Sequence, residues 1–219
     1  MADTVVIRPY EPRDRAAVRR ICCDTADCGE PVENFFSDRK FIADLVTRYY
    51  TDFEPQSSWV AEDAGQVIGY LNGCLDSRRC RRLSLWRIGP AAVAGAIVRG
   101  ALGRRETWRW LRALARTARR GGGRGDLPLE QYPAHLHVNV QRGSRAHGVG
   151  PRLMDRFFER VRAAHLAGAH ATVRGDNAGG CRFFERMGFV AVSRLPLVLA
   201  GRSPNQITET VVYGKKLSD

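Results

Sequence analysis

The 219-residue sequence predicts a single α/β domain. The clearest indication is a strand–turn–helix unit in the second half of the chain. Residues 134–140 alternate in the manner of a strand, and residues 151–167 carry apolar side chains at helical spacing. A chain of this length buries a sizeable core without disulfides or metals. We therefore expect one domain over residues 1–219.

The turn of this unit is rich in glycine and reads V-Q-R-G-S-R-A-H-G-V-G over residues 140–150. Gly148 and Gly150 permit backbone conformations that other residues resist. Pro151 suits a first helical position, because the N–H that it lacks would be unpaired there. Free amide groups at the positive end of a helix dipole favour a phosphate or pyrophosphate. The turn therefore predicts a phosphate-binding site.

The spacing of the turn distinguishes it from two other phosphate-binding motifs. A nucleoside-triphosphate loop needs Gly-Lys-Ser/Thr after its glycines, whereas Pro151 and Arg152 follow here. The dinucleotide fingerprint needs a third glycine, and Leu153 occupies that position. Both motifs are therefore excluded.

The motif R-x-x-G-x-G over residues 145–150 resembles the Q/R-x-x-G-x-G/A signature of the GNAT superfamily of acyl-CoA N-acyltransferases. Val140 lies five residues before the arginine, as in V-x-P-x-x-R-G-x-G-x-G, although Arg142 replaces the proline. Residues 177–189 read N-x-x-G-x-x-F-F-x-x-x-G-F, which is similar to the family's N-x-x-A-x-x-F-Y-x-x-x-G-F. Two motifs in the right order, 27 residues apart between Gly150 and Asn177, carry the resemblance.

The resemblance implies a GNAT-type α/β fold with a central mixed, mostly antiparallel sheet flanked by helices. It covers about residues 4–217 apart from one helical insertion before the motif strand. The remaining segments fit that order: a strand and helix at 4–9 and 14–22, a hairpin at 59–70 turning at 63–65, a third strand at 67–75, and closing strands at 190–198 and 207–217.

The resemblance also implies acetyl-CoA as co-substrate, with no metal. The backbone amides of residues 145–150 would hold the pyrophosphate, and an N–H near residues 138–140 would polarise the thioester carbonyl. Asn177 would cap a helix over residues 178–187, ended by Gly188, and contact the pantetheine arm. The predicted cofactor-binding residues are Val138, Val140, Arg145, Ala146, His147, Gly148, Val149, Gly150, Pro151, Asn177 and Phe184.

Two histidines on the motif strand are candidates for the catalytic base. An alkylammonium with a pKa of about 10 must lose a proton before it attacks a thioester. His135 and His137 share one face of the strand, and imidazole suits proton transfer. Their His-Leu-His-Val run resembles that of serotonin N-acetyltransferases, in which histidines relay protons. We expect His137, nearer the cofactor motif, to act directly; a purely structural role for both is the alternative.

Phe184 is the main departure from the family pattern. Many members carry at this position a tyrosine that protonates the departing thiolate, and phenylalanine has no proton to give. Slower catalysis, a substitute acid, or a non-catalytic acyl-CoA sensor are all compatible with this change. The favoured function is N-acetylation of a primary amine by direct attack in a ternary complex.

The insertion at residues 77–130 holds fourteen arginines and three acidic residues, a charge of +11 out of the chain's +12. Helices are expected at 90–102 and 106–119. Three interpretations stay open: a hairpin packed on the sheet edge or forming a homodimer, a lid that shapes the acceptor site, or a surface for nucleic acid or an anionic membrane. Of these partners, nucleic acid is not favoured.

The sequence also bears on compartment and on further relatives. We find neither a signal peptide nor a membrane span, and six cysteines without paired spacing suit a reducing cytoplasm. Cys22, Cys23 and Cys28 are free thiols or, less favoured, metal ligands. Residues 132–139 and the long insertion also resemble bacterial relatives of the acetyltransferase-like domain of O-GlcNAcases. The amine acceptor, a small molecule or a peptide, is not specified.

Overall fold

The structure, a computed structural model, describes residues 5–122, 127–200 and 207–217, with the backbone alone for residues 145–147. Seven strands form one sheet in the order β1-β2-β3-β4-β5-β7-β6. They are β1 Val6–Pro9, β2 Ser58–Asp63, β3 Gln66–Cys74, β4 Ala134–Val140, β5 Gly168–Arg174, β6 Val190–Val198 and β7 Ile207–Lys216. Neighbouring strands are antiparallel except β4 and β5, which are parallel. The expected mixed, mostly antiparallel sheet is confirmed.

Helices cover both faces of this sheet. They are α1 Arg15–Asp24, α2 Arg39–Phe53, α3 Ser77–Leu83, α4 Gly89–Val98, α5 Arg105–Arg119, α6 Val149–Ala163 and α7 Ala178–Arg186. Helices α6 and α7 bury their apolar residues in the core on one face, whereas α1 and α2 pack on the other face. The sheet therefore separates two environments, and each can receive a different molecule.

The β2–β3 hairpin shows how local sequence fixes register. Ala64 and Gly65 both have positive φ, at 45° and 79°, as a two-residue type I′ turn requires. This turn aligns Asp63 with Gln66 and places Val60 opposite Tyr70, both of which are fully buried. The predicted turn at residues 63–65 is confirmed.

The side chains of β4 alternate between the two faces. Ala134 and Leu136 are buried, and Val138 and Val140 pack against the same core, which includes α6. The ring of His135 instead contacts Tyr50 of α2, and so does the ring of His137. Because strand side chains alternate with period two, both histidines lie on the α2 face. The prediction that they share a face is confirmed.

Helix boundaries differ from the expectation in three places. Helix α2 was not predicted, although Asp38 caps it by accepting from the Phe41 N–H at 3.0 Å. The first insertion helix begins at Ser77 and continues through a π-helical turn, Ser84–Ile88, into α4. It ends at Val98 because Gly100 adopts φ +77°, which breaks the predicted 90–102 helix.

The start of α6 also differs. The helix begins at Val149, and Gly148 is its N-cap with φ +66°, after a 3₁₀ segment over Arg142–His147. Pro151 is thus the third helical residue, not the first. This position still suits proline, because the first four N–H groups of a helix have no intrahelical partner.

Candidate active site

A gap in the sheet lies between β4 and β5. The two strands pair only at Ala134 with Ala169 and at His135 with His170 within the described chain. Beyond these pairs, residues 136–140 have lost β5 as a partner while they stay paired with β3. Residues 136–140 therefore have β3 as a paired strand on one side and no paired strand on the β5 side within the described chain. This is where a carbonyl-polarising N–H was expected.

The N-terminus of α6 lies beyond the carboxyl end of β4. Its N-cap Gly148 has a left-handed φ of +66°, and a Cβ placed there would meet nothing within 4 Å. The space around this glycine is open, and the first amides of α6 face the positive end of the helix dipole. Val149 is fully buried, and Pro151 has no N–H. The contacts of Val149 and Pro151 with a cofactor stay predictions.

Gly150 allows α7 to approach α6 closely. A Cβ at Gly150 would lie 2.9 Å from the ring of Phe183, closer than side chains pack. Phe183, which was not among the predicted site residues, therefore lies against the first turn of α6. The motif glycine at position 150 is needed for this packing of two helices, a reason that spacing alone did not supply.

Asn177 caps α7 as expected. Its Oδ1 accepts from the Gly180 N–H at 3.0 Å, and Gly188 follows the helix with φ +79°. Phe184 points into the core, where its ring stacks on Tyr213 with centroids 6.0 Å apart. The Tyr213 hydroxyl donates to Glu185 at 2.9 Å. The contacts of Asn177 and Phe184 with a cofactor stay predictions.

His135 is held at both ring nitrogens. The Ser77 hydroxyl donates to the Pro133 carbonyl at 2.6 Å and lies 2.8 Å from Nδ1. Ser77 therefore accepts from Nδ1–H, and Nε2 accepts from the Tyr50 hydroxyl at 2.7 Å. Burial, together with His137 and His170, holds the pKa of His135 well below its usual range. This arrangement holds a neutral imidazole in one orientation, and a catalytic role of His135 stays a prediction.

His137 has a different environment. Its ring lies edge-on to Tyr50 with centroids 5.6 Å apart, and no hydrogen-bond partner of its nitrogens occurs among the described residues. Burial and then His170 lower the pKa of His137 to about 4. At neutral pH the imidazole is therefore in its basic form. Of the two predicted histidines, His137 is the one with nitrogens available to a substrate.

Two thiols lie beside His135. The ligand atoms of Cys74, Cys80 and His135 are within 4.8 Å of one another, the one such cluster found in the described part of the chain. Since both nitrogens of His135 are already hydrogen bonded, its lone pair is engaged by Tyr50. Cys22 and Cys23 are buried in α1 and do not join a cluster with Cys28 within those residues. The absence of a metal stays a prediction.

Two ion pairs hold the loop between α1 and α2 at the far end of the gap. Arg174, at the end of β5, pairs with Asp27 of this loop and with Asp176 at 2.7 Å. Arg142, in the segment before α6, pairs with Glu30 of the same loop. Both pairs bring this loop to the carboxyl ends of the two parallel strands.

A cavity of about 500 Å³ opens beside this loop. The insertion forms one wall with Trp110, Ala113 and Leu114 of α5, and β6 contributes Leu197 and Val198. The Thr117 hydroxyl accepts from the Val198 N–H at 2.9 Å, which holds α5 against β6. The remaining lining residues are Ala26, Asp27, Asn34, Phe35, Arg174, Leu199 and Ala200.

The cavity and His137 lie on the same side of the sheet. His135 pairs with His170, and side chains of a strand alternate with period two, so Arg174, which lines the cavity, lies on the same face of the sheet as His170 and His135. The cavity therefore opens on the face of the sheet opposite to α6.

The structure thus brings together the backbone of residues 145–150, β4 and the start of α7. It leaves the side chains of Arg145, Ala146 and His147 outside the described residues. Sequence reasoning missed Tyr50, Phe183 and the ion pair of Arg174 with Asp27. The adjacent aromatic residues at 183–184 could have indicated Phe183 as a site residue. No local sequence pattern links Tyr50 to His135, which lies 85 positions away.

Comparison with known proteins identifies this arrangement. The family model described as the acetyltransferase (GNAT) family matches residues 29–189. The crystal structure of SsHAT superposes with a TM-score of 0.71 at 23% identity, covering 99% of this chain and 100% of that chain. The structure of yncA from Salmonella typhimurium with its cofactor acetyl-CoA gives 0.58 at 15%, covering 99% and 96%.

A third solved structure, the ribosomal-protein-alanine N-acetyltransferase from Brucella melitensis, has a TM-score of 0.56 at 17% identity, covering 97% of this chain and 99% of that chain. These likenesses show a shared fold. The chain belongs to the acetyltransferase (GNAT) family and is an acyltransferase. None of its described helices is long and apolar enough to cross a membrane.

Proposed function

We propose that this protein transfers the acetyl group of acetyl-CoA to a primary amine by direct attack within a ternary complex. The observation that carries the proposal is the gap between β4 and β5, which pair at only two positions within the described residues. On one face it meets the N-terminus of α6, which suits a pyrophosphate. On the other face it meets His137 and the cavity, which suit an amine.

The cofactor would lie between α6 and α7. The amides after Gly148 would receive the pyrophosphate, and the thioester carbonyl would accept a hydrogen bond from a backbone N–H of β4 near residues 138–140. Phe183 and Asn177 flank the same cleft from α7. Acetyl-CoA supplies the activated acyl group, and the chain supplies orientation and charge stabilisation.

The acceptor would lie in the cavity walled by the insertion. Its lining is apolar except for Asn34 and the charged pair of Asp27 with Arg174. An amine with an apolar body fits this lining, because Trp110 and Leu114 cover apolar surface while Asn34 and the ion pair of Asp27 with Arg174 offer hydrogen-bonding groups. For the side of the insertion that lines the cavity, we propose the lid that shapes the acceptor site.

His137 would take the proton from the attacking amine, directly or through water. With a pKa of about 4, its imidazole is unprotonated throughout the neutral range. It is consequently a weak base that is always available. The hydroxyl of Tyr213 donates to Glu185, so we propose no tyrosine as the acid that protonates the departing thiolate. We therefore expect slow turnover.

Replacing His137 with alanine should lower kcat with an amine acceptor by about 100-fold, a typical contribution of a general base. Because the pKa of His137 is about 4, the loss should be the same from pH 6 to pH 9, within about twofold. Thiol release from acetyl-CoA, followed over a panel of primary amines, measures this. Exposed His165 at the end of α6, changed to alanine, is the control.

An unchanged kcat in His137→Ala, with His165→Ala also normal, would remove the base from the mechanism. A wild-type acid limb near pH 6.5 that vanishes in His137→Ala would contradict the low pKa. Acetyl-CoA binding without release of thiol, for every amine tried, would favour the acyl-CoA sensor over the enzyme.

The cavity can be tested through two leucines of α5. Leu114 lines the cavity and exposes 43% of its surface, whereas Leu111, one turn earlier, exposes 41% and does not line it. Leu114→Ser should raise the KM for the acceptor about tenfold through lost apolar contact. Leu111→Ser should leave it unchanged, and neither change should alter acetyl-CoA affinity. Equal KM values for the two variants would place the acceptor elsewhere.

A further inference from the structure

The outer side of the insertion carries an unusual amount of exposed apolar surface. Twelve large apolar residues are exposed in the described chain, and nine of them lie between residues 85 and 114. Single exposed apolar residues are normal on a protein surface, whereas a concentration on one element indicates a contact surface. This clustering is not explained by the cavity, to which only Leu114 of the nine contributes.

Helix α4 is the centre of this surface. It contains no charged residue, yet only Ala92 and Ala96 of its ten residues are buried. Val98 is 87% exposed and Trp86, in the π-helical turn before α4, is 78% exposed. A helix that is apolar all round is normally buried on all sides. The fold covers one side of α4 and leaves the other side open.

The exposed side forms one stripe. Trp86, Pro90, Val93 and Ile97 follow each other at spacings of four, three and four residues, which places them along one side of a helix. Leu102 and Trp108 extend the surface beyond α4, and the Trp108 Nε1–H donates to the Leu102 carbonyl at 3.0 Å. We call the exposed apolar residues of this surface the apolar ridge: Leu85, Trp86, Pro90, Val93, Ile97, Val98, Leu102 and Trp108.

Exposed arginines flank the apolar ridge along the sequence. Exposed Arg78, Arg79 and Arg82 precede it on α3, and exposed Arg105 and Arg109 follow it on α5. A second copy docking by two-fold symmetry would bring equal positive charges together. A nucleic acid would use the arginines but not the aliphatic side chains of α4. A surface that carries negative charge above an apolar layer would contact both the arginines and the aliphatic side chains of α4.

We propose that the apolar ridge docks onto the surface of an anionic phospholipid membrane. Trp86, Val93 and Ile97 would enter the region between headgroups and acyl chains, and the flanking arginines would contact lipid phosphates. Tryptophan prefers this interface, and basic amphipathic helices lie in it without spanning the bilayer. The acceptor cavity on the inner side of α5 would then open close to the membrane.

The test uses the full chain and vesicles of phosphatidylcholine with or without phosphatidylglycerol. We expect flotation with the phosphatidylglycerol vesicles, weaker binding at high salt, and a blue shift of tryptophan fluorescence on binding. The double change Ile97→Ser with Val98→Ser should weaken binding about tenfold through lost apolar burial. Arg105→Gln should weaken it about fivefold. Val190→Ser, at a position 62% exposed on β6, is the matched control.

Three results would overturn the proposal. The first is absence of binding to phosphatidylglycerol vesicles by folded protein. The second is a dimer in solution that Ile97→Ser with Val98→Ser dissociates, because the ridge would then be covered by a second copy. The third is vesicle binding that falls with Arg105→Gln but is unaffected by the apolar double change, since charge alone would then explain it.

Discussion

Gly148→Glu should abolish measurable binding of acetyl-CoA and coenzyme A. The φ of +66° and the open space at this glycine place the new side chain freely over the first amides of α6. A carboxylate there would interact with the N-terminus of α6 in place of the pyrophosphate and would repel the pyrophosphate. Two unit charges about 4 Å apart interact by about 4 kcal/mol at an effective dielectric of 20. We therefore expect at least about a 100-fold loss of affinity by calorimetry.

Gly65→Glu is the matched control for this change. Gly65 has φ +79° and an equally open surrounding, but it lies in the β2–β3 turn and is not part of the N-terminus of α6. Both substitutions carry a similar backbone strain of about 1 kcal/mol. Only Gly148→Glu should lose the cofactor, and Gly148→Ala should lose stability with little loss of affinity. Normal binding by folded Gly148→Glu would show that the pyrophosphate lies elsewhere.

Acid should destabilise the fold well before its carboxylates are protonated. The pKa of His137 falls from 6.5 to about 4 on folding, and that of His135 falls as well. Between these values the unfolded chain binds more protons than the folded one, so the free energy of unfolding falls as pH decreases from about 6.5 to about 4. His137 alone accounts for about 2 to 3 kcal/mol of this loss.

Urea unfolding at a series of pH values measures this effect. His137→Asn keeps a polar, uncharged side chain and should flatten the pH dependence by about 2 kcal/mol between pH 7 and pH 4. The same change at His165, which is exposed at the end of α6, provides the comparison. Carboxylates such as Asp14, whose pKa is lowered by its hydrogen bonds to Arg8, act at lower pH. An unaltered slope in His137→Asn would contradict the burial of this ring.

Local patterns predicted the sheet well because register and turns depend on neighbouring residues. Residues within a few positions of the chain determine the positive φ values at Ala64 and Gly65 and the alternation of β4. The same holds for the cap of α7, where Asn177 accepts from an amide three residues on. Alternation also placed His135 and His137 correctly on one face.

The environment of the histidines was not predictable in the same way. His135 is fixed by Tyr50 and Ser77, which are 85 and 58 positions away, and no local pattern links them. The sequence favoured His137 over His135 only because it lies nearer the cofactor motif, whereas the structure distinguishes the two by their tertiary hydrogen bonds. The cavity likewise depends on the docking of α5 against β6 through Thr117 and Val198, a contact between distant segments.

The two residue pairs that join β4 to β5 have a thermodynamic consequence. The sheet consists of a four-stranded and a three-stranded half with few hydrogen bonds between them, and a ligand in the gap would complete the junction. Cofactor binding would then stabilise the fold, and a more stable junction would bind the cofactor more tightly, because the two free energies are coupled. A substitution that loosens the junction far from the pyrophosphate would weaken binding of the cofactor. The stability of the enzyme in a cell would then rise and fall with the concentration of acetyl-CoA.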